Sequence, residues 1–206
     1  MADPGTDSAS GVAELVLDLV AALGAPGVGV AVAAENLFPP IPSEVVLPLA
    51  GISAARGEMS LVGAVGWSTV GSVVGALLLY WLGAALGTAR LQAAWEKLPL
   101  TSADDILRAE AWFHRWGELA VLLGRCVPVV RSAVSVPAGV TRMPLVRFTA
   151  LTLAGSLVWN ATFVGLGYAL GDQVDAVTAW VDRYQLVVLA ALVLGVVTWV
   201  VRRTRD

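Results

Sequence analysis

Four charged residues stand in apolar segments where a chain of this composition would ordinarily carry none. Glu35 and Glu44 flank the proline cluster Pro39-Pro40-Ile41-Pro42, and Arg125 and Arg131 flank Pro128. A charge at mid-bilayer costs about 2.5–3.5 kcal/mol on insertion scales, so each of the four needs a reason to be there. On an unbroken helix Arg125 and Arg131 would point about 240° apart, and Glu35 and Glu44 about 180° apart, so neither pair could converge on one ligand. Proline removes that constraint by breaking the helix. Each broken segment can then present two charges inward. A guanidinium is always protonated and offers a planar fork of donors that matches phosphate, so two converging arginines suggest an anionic, phosphate-bearing ligand. Carboxylates inside a membrane are groups through which protons are exchanged. The pairing points to proton-linked movement of an anion, with Arg125 and Arg131 binding it and Glu35 and Glu44 coupling protons. The competing reading is that the four residues form buried ion pairs that lock the two segments together.

The elements that must hold these residues are membrane elements. The chain has 206 residues, 57% of them hydrophobic and 14% charged, with a mean hydropathy of +0.77; ordinary soluble domains are far more charged. No charge interrupts 59–89, 148–171 or 184–201, and each run approaches or exceeds the roughly 18 residues that suggest a spanning helix. Three spans are expected there. Two further apolar regions, 19–51 and 119–140, carry charge and proline in their middles and read as re-entrant hairpins. Non-helical backbone survives at membrane depth only when it is buried in protein or lines a wet cavity, so a site is implied at the breaks.

The pattern occurs twice. Met59 to Gly87 aligns without a gap on Met143 to Gly171, with eleven identical positions. Upstream, the segment ending at Gly51 matches the segment ending at Gly139 and shares Pro40/Pro128 and the terminal Ala-Gly. Paired, proline-broken apolar segments at corresponding positions of two halves are a pointer to a transporter's binding site. The expected fold is therefore an all-α membrane protein, an inverted repeat of two re-entrant hairpins each followed by a transmembrane helix, with an N-terminal interfacial helix and a C-terminal transmembrane helix. Its parts are 1–27 (tail and interfacial helix), 28–87 (first repeat), 88–116 (amphipathic connector), 117–171 (second repeat) and 172–206 (acidic loop, last span and basic tail).

The remaining features narrow the function. The N-terminal stretch lacks a positive n-region, an apolar core and a cleavage site, and is expected to be retained. Cys126 and His114 are the sole residues of their types, so neither an internal disulfide nor a metal site is expected. No cofactor is expected, and no nucleic-acid surface is evident. With single crossings, Arg90, Lys97, Arg108, Arg115, Arg142, Arg147 and the C-terminal arginines collect on one face, which the positive-inside rule makes cytoplasmic. Asn160 reads as an interhelical hydrogen-bonding residue, Gly71-Ser72 and Gly155-Ser156 as close-packing points, and His114 as a surface residue.

Two strings carry a family resemblance. Glu35-Asn-Leu-Phe-Pro39-Pro40-Ile-Pro42-Ser-Glu44, followed by Pro48-Leu-Ala-Gly51, resembles the first motif of the DedA family, also called the SNARE-associated or VTT-domain family. Phe113-x-x-x-Gly117, Gly124-Arg125-x-x-Pro128-x-x-Arg131, Pro137-Ala-Gly139, Met143 to Phe148 and Gly167-Tyr168-x-x-Gly171 resemble its second motif and next helix. The match covers about Val28 to Gly171; Cys126 stands where the family often has an aromatic residue. The resemblance implies a multi-pass protein of the bacterial inner membrane, linked to translocation of polyprenyl phosphate carriers or phospholipids and to the proton gradient. It carries Glu35, Glu44, Arg125 and Arg131 over as functional residues. The expected activity is return of undecaprenyl-type phosphate from the outer to the inner leaflet; the expected partners are that lipid and protons, with a homo-oligomer possible. The rivals are a phosphatidylethanolamine flippase or scramblase, a proton-coupled exporter of small cations or drugs, and a non-transporting assembly factor. An enzyme is disfavoured, because lipid-phosphate hydrolysis needs a nucleophile or base and His114 is the only histidine.

Overall fold

The computed structural model describes residues 18–20, 22–37, 43–95, 103–128 and 130–171, together with 186, 187, 190, 194, 195, 197, 198 and 201. All regular structure among them is helical. The helices are α1 (Ala25–Leu37), α2 (Ser43–Ala55), α3 (Leu61–Trp95), α4 (Ala103–Gly124), α5 (Val130–Ala133), α6 (Ser135–Val140) and α7 (Leu145–Leu170). Within α3 the stretch Leu61–Arg90, and α7 throughout, are long and apolar enough to cross a membrane. The loop before the third expected span and most of the N-terminal interfacial helix lie outside the described residues; of that helix 18–20 and 22–23 are helical, and of the expected span 184–201 eight residues are described, all of them helical.

Proline and glycine set the boundaries. Pro26 sits in the first turn of α1, where its missing N–H is not needed. Pro48 lies inside α2 and is buried. α4 runs on through the expected connector boundary at 116/117 and ends at Gly124, ahead of the Arg125–Pro128 turn. The second expected break therefore exists and falls between Arg125 and Arg131. Pro39, Pro40 and Pro42, which should make the first break, lie outside the described residues between α1 and α2.

The two repeats close in the same way. After α2, Glu58 N–H donates to Ser53 O and Gly57 N–H to Ala54 O; after α6, Met143 N–H donates to Ala138 O and Arg142 N–H to Gly139 O. Both are Schellman closures, which need a residue with positive φ. Gly57 (φ 79°) supplies it in the first repeat and Arg142 (φ 51°) in the second. The spans also stop alike: α3 is interrupted at Gly87 (φ 65°) and α7 ends before Gly171 (φ 54°), the two glycines that end the sequence alignment.

Packing between the repeats is reciprocal. α1 packs on α3 and α4 on α7, but α2 packs on α7 and α6 on α3. Gly51 of α2 lies against the backbone of Val164 and Tyr168, while Gly139 of α6 lies against the backbone of Tyr80 and Ala84. Val164 and Tyr168 each follow Tyr80 and Ala84 by 84 positions, and Gly139 follows Gly51 by 88, the offsets of the span and segment alignments. Gly167 faces Pro48 and Gly83 faces Val136, the same exchange seen from the spans. Any Cβ at Gly51 or Gly139 would overlap backbone, so glycine is what lets the helices approach this closely. Two apolar cores follow, one around Val28, Val32, Leu47, Phe163 and Val164, the other around Tyr80, Phe113, Val121, Val134 and Phe148. The outer faces of α3 and α7 keep Val62, Trp67, Trp81, Leu82, Val146 and Val158 exposed.

Candidate functional site

Between the two cores lies a polar layer. Glu35, two positions from the end of α1, and Arg131, in α5, are both buried and form an ion pair. Beside it, Ser132 Oγ donates to Asn36 Oδ1 at 3.0 Å, and Asn36 Nδ2 donates to Val32 O at 3.1 Å. Two adjacent side-chain links thus join α1 to α5. Arg125 is buried in the turn after α4; its Nη2 donates to Ser135 Oγ at 2.9 Å and to Thr152 Oγ1 at 3.2 Å. Its guanidinium also stands 5.8 Å from the Phe148 ring centroid, within cation–π range. Asn160 of α7 reaches across to α3, donating from Nδ2 to Thr69 Oγ1 at 3.3 Å and to Ser72 Oγ at 3.2 Å.

These groups pack around a small, tight chamber. Asn36, Ser72, Arg125, Arg131, Ser156, Trp159 and Asn160 line about 180 Å³ of interstitial space, none of it wide enough to seat a water molecule. Two guanidiniums meet one carboxylate among the described side chains here, and burial makes an uncompensated charge expensive. Chemically, the arrangement is a donor-rich, positively charged cavity suited to an anion with several oxygen acceptors.

The structure brings Arg125, Arg131 and Glu35 together. Glu44 is the second residue of α2, and its side chain lies outside the described residues. Pro128 is buried at the second break, where Val127 N–H donates to Gly124 O and Val130 N–H to Pro128 O. His114 is exposed. Asn160 does bridge helices, as expected. Sequence reasoning did not single out Asn36, Ser135 or Thr152 as site residues. The signal for one group was present: Thr152, Ser156 and Asn160 recur at every fourth position, one buried stripe on α7. Ser135 carried no such signal, since its role depends on where Arg125 folds to.

The sequence model of the VTT domain matches residues 41–169. A Lactococcus lactis subsp. cremoris protein called alkaline phosphatase-like protein is 37% identical over 92% of this chain and 92% of its own length. Undecaprenyl phosphate transporter A of Bacillus subtilis is 34% identical over 80% of this chain and 83% of its own. The protein of that name from Staphylococcus aureus is 28% identical over 92% and 95%. No solved structure matches the chain.

Proposed function

The chain belongs to the VTT-domain (DedA) family of membrane proteins, and from that premise we propose that it carries a phosphate-bearing polyprenyl lipid, of the undecaprenyl phosphate kind, between membrane leaflets. The observation that carries the reading is the buried chamber in which Arg125 and Arg131 converge with Glu35. The names of the Bacillus and Staphylococcus relatives agree with it. In this reading α1–α2 and α4–α6 are re-entrant hairpins dipping in from opposite faces, related by a pseudo-two-fold axis in the membrane plane, and the reciprocal glycine contacts are what such an axis requires. The C-terminus is cytoplasmic.

Arg125 and Arg131 bind the phosphate. Glu35 holds Arg131 while the chamber is closed, and an arriving phosphate competes for that guanidinium; Glu35 and Glu44 then take up the protons that link transport to the gradient. The lock and the carrier are thus one device, because an ion pair that closes the chamber must also be the one the ligand opens. Hydrolysis is the poorer reading despite the names of the Lactococcus relatives. Among the described residues no three His, Cys, Asp or Glu side chains cluster to hold a metal, and the one described carboxylate of the site, Glu35, is engaged by Arg131.

The test is leaflet-resolved transport of undecaprenyl phosphate and of phosphatidylethanolamine in proteoliposomes, with and without a pH gradient. Gradient-stimulated movement of the former, lost in Arg125→Ala and Arg131→Ala, is the expected result. Wild-type rates in both variants would exclude the phosphate role, and headgroup-tolerant movement without a gradient would favour a scramblase.

A further inference from the structure

The chamber contains one acceptor that its donors do not explain. Thr69 Oγ1 donates its only proton to Val65 O at 2.7 Å, so toward Asn160 it can only accept. That fixes the amide: Nδ2 faces Thr69 and Ser72, both of its N–H groups are used, and Oδ1 is left without a partner. Asn160 is completely buried. Across the same chamber Arg125 Nε is also unpaired, its Nη2 being engaged by Ser135 and Thr152. No water fits to bridge the two, so a buried acceptor and a buried donor belong to residues that border the same tight space, each carrying the desolvation cost of an unmade hydrogen bond.

A fully ionised phosphate can satisfy Arg125 but not Asn160, since it has no proton to give. We infer that Asn160 is a specificity residue that reads the protonation state of the ligand: its Oδ1 accepts a hydrogen bond from P–OH while Arg125 Nε donates to a second phosphate oxygen. The ligand class is then a phosphate monoester still carrying one proton, and a diester headgroup is discriminated against. One proton accordingly enters the chamber on the phosphate itself. This inference rests on the phosphate reading of the site given above. Among the described side chains the titratable groups around the chamber are Glu35 from α1, Arg125 from the α4–α5 turn and Arg131 from α5; α3, α6 and α7 contribute hydroxyls, an amide and an indole, and Cys126 packs against the adjoining core.

The experiment measures binding of dodecyl phosphate and of its methyl diester to the purified full-length protein. At about pH 5 both are monoanions and differ only in the P–OH, because the second phosphate pKa is about 6. Titration of Glu35 therefore affects both alike. The wild type should prefer the monoester by about tenfold, the size of one good hydrogen bond to a buried acceptor. That preference should fade as pH rises through about 6, although the monoester then gains negative charge. In Asn160→Leu the ratio should fall to about one while both ligands still bind. Equal wild-type binding of the two ligands, a pH-independent preference, or a preference retained in Asn160→Leu overturns the inference and leaves the phosphate site standing. The wild-type titration decides the matter even if the variant fails to fold. If neither ligand binds, or Arg125→Gln binds both as the wild type does, the phosphate reading falls and takes this inference with it.

Discussion

Arg131 of α5 is paired with Glu35 of α1, with 4% and 10% of the two side chains exposed. The pair joins segments that stand 96 residues apart, and it does so where both side chains are largely withdrawn from solvent. Removing either partner takes the counter-charge from the other in a buried place, so Arg131→Ala or Glu35→Ala should destabilise the protein by about 3–5 kcal/mol. Replacing both by apolar residues of similar volume, as in Glu35→Leu with Arg131→Met, should restore most of that loss. Thermal unfolding in detergent checks the stability. Transport by the double variant separates the two roles: a purely structural lock predicts a stable, active protein, whereas the carrier reading predicts a stable, inactive one.

What the sequence made legible is what depends on local chemistry. Pro128 and Gly124 forecast the break that frees Arg125 and Arg131, and the uncharged runs forecast α3 and α7. The repeated Ala-Gly at Gly51 and Gly139 marked equivalent positions. What stayed hidden depends on the path of the chain. Nothing in the spacing says that Gly51 packs on the second span and Gly139 on the first, because periodicity gives a helix its faces but not its neighbours. For the same reason the choice of Glu35 as the partner of Arg131, and of Ser135 and Thr152 as the partners of Arg125, could not be read in advance. The stripe Thr152-Ser156-Asn160 was visible but resembled ordinary helix-packing polarity.

The reciprocal glycine contacts make a symmetric prediction. A Cβ at Gly51 would strike Val164 O, and one at Gly139 would strike Tyr80 O, in both cases rigid helix backbone rather than a side chain that could swing away. Gly51→Ala and Gly139→Ala should each cost about 1–3 kcal/mol or more, by forcing α2 off α7 and α6 off α3. Gly66, where an added Cβ meets nothing, is the control: Gly66→Ala should leave stability unchanged or raise it by up to about 1 kcal/mol through helix propensity. Melting temperatures of the three variants, measured together, check the contrast.

Arg142 occupies the left-handed position that Gly57 occupies in the other repeat. A side chain there costs roughly 1–2 kcal/mol. Arg142→Gly should therefore stabilise the fold by about 1 kcal/mol, less the added entropy of a glycine in the unfolded chain. The exposed pair Arg147–Glu118, at 2.5 Å with 60% and 55% of the side chains accessible, should behave differently from the buried one. Arg147→Ala should change stability by less than about 1 kcal/mol, and the change should vanish in high salt.

Arg125 supplies the sharpest test of donor geometry. One terminal nitrogen serves Ser135 and Thr152 together, and Nε of the same planar fork is buried without a partner. Lysine keeps the charge but not the planar fork, so Arg125→Lys loses the fixed geometry in which one nitrogen holds both hydroxyls while another stays available to the ligand. Transport should fall at least about tenfold, while Ser135→Ala and Thr152→Val, which each remove one anchor and leave the guanidinium in place, should lose less. A KM raised by the anchor variants with kcat largely kept would mark them as positioning residues. A loss of rate in Arg125→Lys that saturating lipid does not recover would place the guanidinium itself in the step that moves the phosphate, since binding strength alone is overcome by concentration and a transition-state contact is not.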